Sequence, residues 1–247
     1  MIWEWLISPV DPLRVHEVGT ALSWHARVMV LAWGVIAPLS VMIARFFKVL
    51  PWQDWPVELD TKLWWRGHWM SQTFVVILSA VGLVLVLMSD QNSGQALVHR
   101  MLGYAVLAIA VGQALSGLLR GSKGGPTDVQ SDGSMNGDHY NMTPRRLMFE
   151  AFHKSCGYLA LVLMIAAIVT GLWSANAPRW MWLFLIGWWG VLAGVSGYLQ
   201  ARGRAVDTYQ AIWGPDTLHP GNRMKKQGWG TIRPKLPSKS FGKQRET

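Results

Sequence analysis

The sequence predicts an all-α integral membrane helical bundle with five transmembrane helices, and three observations predict it. Five stretches of the chain reach the roughly 17–25 apolar residues that a helix needs to cross a bilayer. Charged residues make up only 15% of the 247 and apolar residues 51%, where a soluble domain carries about 25% charged residues. Sixteen tryptophans suit a chain with many helix ends at membrane–water interfaces, where an amphipathic ring is comfortable.

The elements follow in order. Met1 to Val10 contains acidic Glu4 and no basic residue before a short apolar run, a pattern unlike a signal peptide. Residues 1–21 are therefore expected to remain as an outer interfacial segment. The first span runs from about Trp24 to Ala44, with Arg27 near its start; the second covers Trp69 to Met88 and the third Met101 to Leu119. The fourth runs from Ser155 to Ser174 and the fifth from Trp180 to Ala201. Buried helices of a large soluble fold are the competing reading, and five such runs argue against it. Residues 22–201 thus form the membrane domain. Loop 120–146 is rich in Gly, Ser and Asp and is expected to be mobile. Residues 202–247 are a basic, Pro- and Gly-punctuated tail without periodicity, expected to be mostly irregular.

Charge sets the orientation. Of the 23 Lys and Arg residues, segments 45–66, 120–154 and 202–247 hold four, five and ten, all on one side of five helices. The other side has only Arg14, Arg27, Arg100 and Arg179. By the positive-inside rule the N-terminus faces outward and the tail is cytoplasmic. The net charge of +9 is then a topology signal, and no nucleic-acid partner is expected.

Four of the seven histidines, His25, His68, His99 and His153, fall at or near the starts of the first four helices. Ionisable groups at membrane depth are expensive and mark functional sites. Because successive helices are antiparallel, His25 and His99 share the outer level and His68 and His153 the inner level. Two imidazoles at each level suit the two axial positions of haem iron. Tetrahedral zinc would need four ligands, whereas copper or a proton relay remains an alternative. The single Cys156 allows no disulfide and no CxxCH haem attachment, and it reads as a small buried residue. Gly103 and Gly157 each lie four residues after a histidine, on the same face. They would let a flat macrocycle approach the backbone, or serve ordinary close packing of membrane helices. Arg27 and Arg100 outside, and Arg66, Arg145, Arg146 and Lys154 inside, are cations available to propionates. His16, His139 and His219 lie outside the helices and are read as surface residues. Helices of this length leave two irons on the order of 20–25 Å apart, close enough for electrons to pass.

The runs WHARVMVLAWGVIAPLSVMIARF, GHWMSQ, HRMLGYAVLAIAVGQALSGLLRG and PRRLMFEAFHKSCGYLALVLMIAAIVTGL resemble the four core helices of the cytochrome b561 superfamily. The likeness is closest to the branch attached to DOMON domains and covers about residues 22–175. It implies two b-type haems held by paired histidines, His25 with His99 and His68 with His153. It also implies transmembrane electron transfer from a cytoplasmic-side donor to an acceptor outside. Residues 1–21 are too short for a DOMON domain, so none is expected before the first helix, and the tail motif YQAIWGPDTLHPGN has no counterpart in the pattern. Ascorbate, the donor of well-known members, finds no matching binding residues, so a quinol, another small reductant or a protein is expected. A transmembrane ferric or quinone-linked reductase in a bacterial inner membrane fits this reading, alone, as a homodimer or with a redox-complex partner. A haem-bearing anchor subunit and a non-haem metal or proton transporter are the alternatives.

Overall fold

The computed structural model describes residues 1–89, 96–120, 142–226 and 228–234. It is an all-α membrane bundle, with no β-strand among the described residues. A short helix α1 (Ile2–Ile7) precedes five long apolar ones: α2 (Thr20–Phe46), α3 (Leu63–Leu87), α4 (Leu97–Leu118), α5 (Pro144–Ser174) and α6 (Arg179–Ala201). One further turn of α-helix, α7 (Gln210–Trp213), and a 3-10 turn (Pro220–Asn222) lie in the C-terminal segment. Large apolar side chains such as Ile77, Val84, Val111, Val162 and Phe184 stay exposed along the long helices. That is the surface a bilayer covers, because backbone polar groups are satisfied inside each helix and apolar side chains face lipid.

Helix α2 owes its shape to one proline. Residues Val30–Ile36 are wound as a π-helix between the α-helical halves Thr20–Met29 and Ala37–Phe46. Pro38 has no N–H to give to the carbonyl four residues earlier, so the Gly34 carbonyl is released from the ladder. Two indoles of α6 use it, Trp188 Nε1 at 3.0 Å and Trp189 Nε1 at 3.3 Å. Gly34 itself is buried, and an added Cβ would meet Ile168 and Val30 at 3.4 and 3.5 Å. The fifth span is thereby hydrogen-bonded to the first at mid-membrane depth. Beside this bulge the core closes around Ala32, Trp33, Ala37, Val75, Val106, Ala160, Met164, Ile168 and Leu185. Trp33 Nε1 donates to Ser79 Oγ at 2.9 Å, so the one large polar edge in that core is satisfied.

The helices pack as two antiparallel pairs. Contact is dense between α2 and α3 and between α4 and α5, and sparse between α3 and α4. The pairs therefore face each other across a seam.

Helix α5 is longer than hydropathy suggested, starting at Pro144 rather than Ser155. Thr143 caps it, its hydroxyl accepting from Arg146 N at 3.3 Å, and Pro144 occupies the first turn, where no N–H is needed. Arg146, Glu150 and Lys154 then form an i,i+4 ladder, with ion pairs of 2.8 and 2.6 Å. Such a polar start is invisible to an apolar-length test. His153 consequently sits nine residues past Pro144, inside the helix rather than near its beginning. Helices α3 and α4 likewise begin earlier than expected, at Leu63 and Leu97.

The C-terminal segment is mostly irregular, as expected, with a helical turn at Gln210–Trp213 and a 3-10 turn at Pro220–Asn222, but it is packed rather than loose. Ala205, Asp207 and Tyr209 are at most 1% exposed, and Gln210, Ala211 and Thr231 are also buried. Asp207 accepts from the backbone N–H groups of Tyr209 and Gln210 and pairs with Arg233 at 3.4 Å. Arg204 donates to the Val49 carbonyl, and Lys48 Nζ donates to the Val206 carbonyl at 2.9 Å. Residues 204–226 and 228–233 are thus a packed cap over the ends of α2 and α5. Sequence periodicity misses it because hydrogen bonds and buried polar pairs, not an amphipathic repeat, hold it. At the opposite end Asn176 pins the N-terminal segment: its Oδ1 accepts from Asp11 N at 3.0 Å and its Nδ2 donates to the Asp11 and Arg14 carbonyls.

Replacing Trp188 by Phe removes the better of the two donors to Gly34 and should lower stability by about 1 kcal/mol, read as a lower thermal midpoint in detergent. Burial lowers the pKa of Lys48 from 10.5 to about 7. The folded cap therefore favours the neutral amine while the unfolded chain stays protonated, so this lysine's contribution to stability rises with pH from about 7 to 10.5. Protease cleavage of the cap should slow over that window in the native chain, and Lys48→Met should flatten the dependence.

Candidate functional site

The four helix histidines meet in two facing pairs across the seam. His25 of α2 and His99 of α4 have ring centroids 6.1 Å apart and planes at 89°. His68 of α3 and His153 of α5 are 6.2 Å apart at 83°. A metal–imidazole bond is about 2 Å long and a ring centroid lies about 1 Å behind its nitrogen, so two rings on opposite sides of one metal stand about 6 Å apart. Among the described residues no group of three or more His, Cys, Asp or Glu converges as a metal site. Each level offers two nitrogens and a gap, a donor set that suits a macrocycle supplying its own equatorial ligands.

Hydrogen bonds fix which nitrogen faces the gap. His25 Nδ1 lies 2.7 Å from the Gly82 carbonyl, His99 Nδ1 is 2.8 Å from that of Ala167, and His68 Nδ1 is 3.0 Å from that of Ser40. A carbonyl only accepts, so each Nδ1 carries the proton and each Nε2 presents its lone pair. His153 differs. Its Nδ1 is buried without a partner, and its carbonyl accepts from Gln113 Nε2 at 2.9 Å.

A regular spacing underlies this lattice. His25 precedes Ser40 by 15 residues, while His68 precedes Gly82, His99 precedes Gln113 and His153 precedes Ala167 by 14. Four helical turns are about 14 residues and about 21 Å. Each helix therefore carries a histidine at one level and, on much the same face, the group that holds a neighbour's histidine at the other.

The glycines divide differently from expectation. A Cβ on Gly103 would meet nothing within 4 Å, and one on Gly157 would meet only Gln113 Nε2 at 3.8 Å, so both leave room beside a histidine. The glycines set against the rings are ones that spacing did not flag. A Cβ on Gly171 would stand 2.9 Å from His99 Nδ1, and one on Gly82 would stand 2.6 Å from Met29 Sδ and 3.6 Å from His25 Nδ1. Their offset from a histidine on another helix has no local sequence signal.

The cations take several places. Arg27 is exposed and lies over the Trp24 ring at 5.2 Å; Arg100 is half-buried on α4 beside His99. Arg66 is exposed on the first turn of α3, and Arg145 donates to the Leu119 carbonyl. Arg146 is buried, with Nη2 on Glu150 at 2.8 Å and Nε on Tyr209 Oη at 3.2 Å, while its Nη1 has no partner. Lys154 shares Glu150. The Tyr209 hydroxyl donates to the same carboxylate at 3.0 Å, and burial together with that negative charge pushes its pKa upward. Cys156 is half-buried. His16 is exposed with Nδ1 2.7 Å from the Ala175 carbonyl. His219 is not a bare surface residue: its ring stacks on Trp213 at 4.9 Å and its Nδ1 accepts from Gly221 N. His139 lies outside the described residues.

Comparison with known proteins finds relatives with this kind of membrane domain. The chain is 22% identical over 157 residues to a cytochrome b561, DM13 and DOMON domain-containing protein of Arabidopsis thaliana, covering 64% of this chain and 15% of that one. It is 27% identical over 166 residues to human ferric-chelate reductase 1, covering 67% and 24%. A second Arabidopsis protein, with cytochrome b561 and DOMON domains, is 27% identical over 161 residues, covering 64% and 29%. The matched part is thus less than a third of each of these three relatives. No family model matches the chain, and no solved structure matches it.

Substituting Glu150 by Ala would leave the buried Arg146 guanidinium without its carboxylate. It should cost about 3–5 kcal/mol, measured as a fall in the thermal midpoint, with Glu150→Gln costing less.

Proposed function

We propose that this chain, which carries a cytochrome b561-type membrane domain, holds two b-type haems and moves electrons across the bilayer between an inner-side or quinol donor and an outer-side acceptor. The carrying observation is the pair of facing imidazole sets at 6.1 and 6.2 Å, four turns apart along every helix. When bound, each haem supplies a one-electron carrier in a dry, apolar surrounding. The protein's part is to hold it. His25 and His99 would ligate at one level and His68 and His153 at the other, with Nε2 turned to the gap in the three rings whose Nδ1 is hydrogen-bonded. The backbone bonds at Nδ1 lock three of the rings and raise their basicity, which favours the oxidised iron. The sparse seam between the α2/α3 and α4/α5 pairs supplies the slot, and the open space at Gly103 widens it.

The charge distribution supports an N-terminus outside and the C-terminal cap inside a plasma membrane, bacterial in type. His25/His99 is then the outer level and His68/His153 the inner one. Arg27 and Arg100 are the cations for outer propionates. At the inner level Arg66, Arg145, Lys154 and Arg146 serve, the last through its unpartnered Nη1. An electron that crosses the whole bilayer works with or against the membrane potential at about 2.3 kcal/mol per 100 mV, so the two levels couple the reaction to that potential.

A pyridine haemochrome assay on the purified chain should find close to two haems b per polypeptide. His25→Ala or His99→Ala should remove one haem and leave the other, and Gly171→Ala should perturb the same haem by displacing the His99 ring. Loss of both haems from a single change in a folded protein would disprove the pairing. A colourless folded protein, expressed with ample haem, would favour metal or proton transport instead.

A further inference from the structure

The cap segment YQAIWGPDTLHPGN is built as a continuous line of contacts from the molecular surface to His153. His219 stacks on Trp213 at 4.9 Å and 15°, and Trp213 stacks on Tyr209 at 5.7 Å and 22°. The Tyr209 hydroxyl reaches Arg146 Nε at 3.2 Å and Glu150 at 3.0 Å. The Arg146 guanidinium lies over the Phe149 ring at 5.0 Å, and that ring is 5.0 Å from the His153 ring. Each step is a hydrogen bond, a contact between rings or the guanidinium–ring contact. The segment is fixed for this purpose by Asn222, whose Oδ1 accepts from Trp213 Nε1 at 3.0 Å and Gln210 Nε2 at 3.3 Å. Its Nδ2 holds the Gly214 and Asp216 carbonyls.

The outer end of this line has the make-up of a docking patch. Leu218 and Met224 are 76% and 52% exposed beside it, and Arg223, Lys225 and Lys226 are exposed next to them. Exposed Asp216 adjoins Leu218, so the rim carries three cations to one acid, and a net-basic rim steers an acidic partner at speed rather than binding it tightly.

We propose that the column His219–Trp213–Tyr209 is the electron-input port of the inner haem, and that its donor is an acidic one-electron carrier protein docking on the Leu218–Lys226 patch. The proposal rests on the di-haem reading. In the step the donor loses one electron and the inner iron, ferric before it, gains it; no bond forms or breaks and no proton changes place. Trp213 and Tyr209 act as the path, and Arg146 and Phe149 join it to His153.

Two measurements on the full-length haem-loaded chain test the proposal. In a Cys156→Ser background, Thr217→Cys is labelled with a ruthenium photoreductant and reduction of the inner haem is timed after a flash. Trp213→Leu should slow that reduction by about tenfold or more, with haem content and both midpoint potentials unchanged, and Trp213→Phe should restore it. The same label on Asp54→Cys, in the α2–α3 loop, should be indifferent to Trp213. An unchanged rate from position 217 in Trp213→Leu overturns the path. A rate lost equally in Trp213→Phe, or moved together with the potentials, overturns it also. Reduction by flavodoxin hydroquinone, an acidic probe donor, should fall steeply with added salt and with the double change Arg223→Glu and Lys225→Glu. Insensitivity to both overturns the docking patch. A preparation without haem would instead strike at the di-haem reading itself, which the haemochrome assay registers separately.

Discussion

Hydrogen bonds from histidine Nδ1 on one helix to a backbone carbonyl on its neighbour are the constraint on which the rest of this bundle depends. In a bilayer an unpaired polar group costs several kcal/mol, so a histidine placed among apolar helices is held by an acceptor at three of the four positions, His153 being the exception. Here His25, His68 and His99 find it in the carbonyls of Gly82, Ser40 and Ala167. Each bond fixes the register of two helices and leaves Nε2 free in the same act. Structure and site are therefore one network. The glycines follow from it, because a carbonyl can be approached closely by an imidazole only where the backbone carries little side chain.

A second released carbonyl does similar work away from the site. Pro38 frees Gly34, the π-helical turn accommodates the mismatch, and α6 docks through Trp188 and Trp189. The helix outside the four histidine-bearing ones is thus attached by directed bonds as well as by packing. Attachment by packing alone would be weak, since lipid tails are as apolar as the helix surface.

At one end of the bundle the bilayer no longer supplies the driving force, and the logic changes. The cap over α2 and α5 buries Lys48, Arg146, Glu150, Asp207 and Gln210. Buried charges are expensive unless paired, and each ionised group here has a partner: Glu150 between Arg146 and Lys154, Asp207 with Arg233. Burial lowers the Lys48 pKa to about 7, so this amine changes charge near neutral pH and makes the cap's stability depend on pH.

Much of this was legible in the residues alone. Five apolar runs give the helices because hydropathy and length are local properties. Antiparallel succession gives the pairs His25/His99 and His68/His153, because helix direction alternates by necessity. What the sequence could not show is whatever depends on a partner distant in the chain. The early start of α5 rests on a polar ladder that matters only once the cap covers it. Gly82 and Gly171 matter through rings on other helices, whereas Gly103 and Gly157 could be flagged because their offset lies within one helix. His219 and the cap motif carry no periodicity, since side-chain bonds to Asn222, Asp207 and Arg233 replace an amphipathic face. The sequence by itself determined the helices, their alternation and the level of each histidine; only the tertiary structure decided the contacts between them, because those are set by three-dimensional register rather than by spacing along the chain.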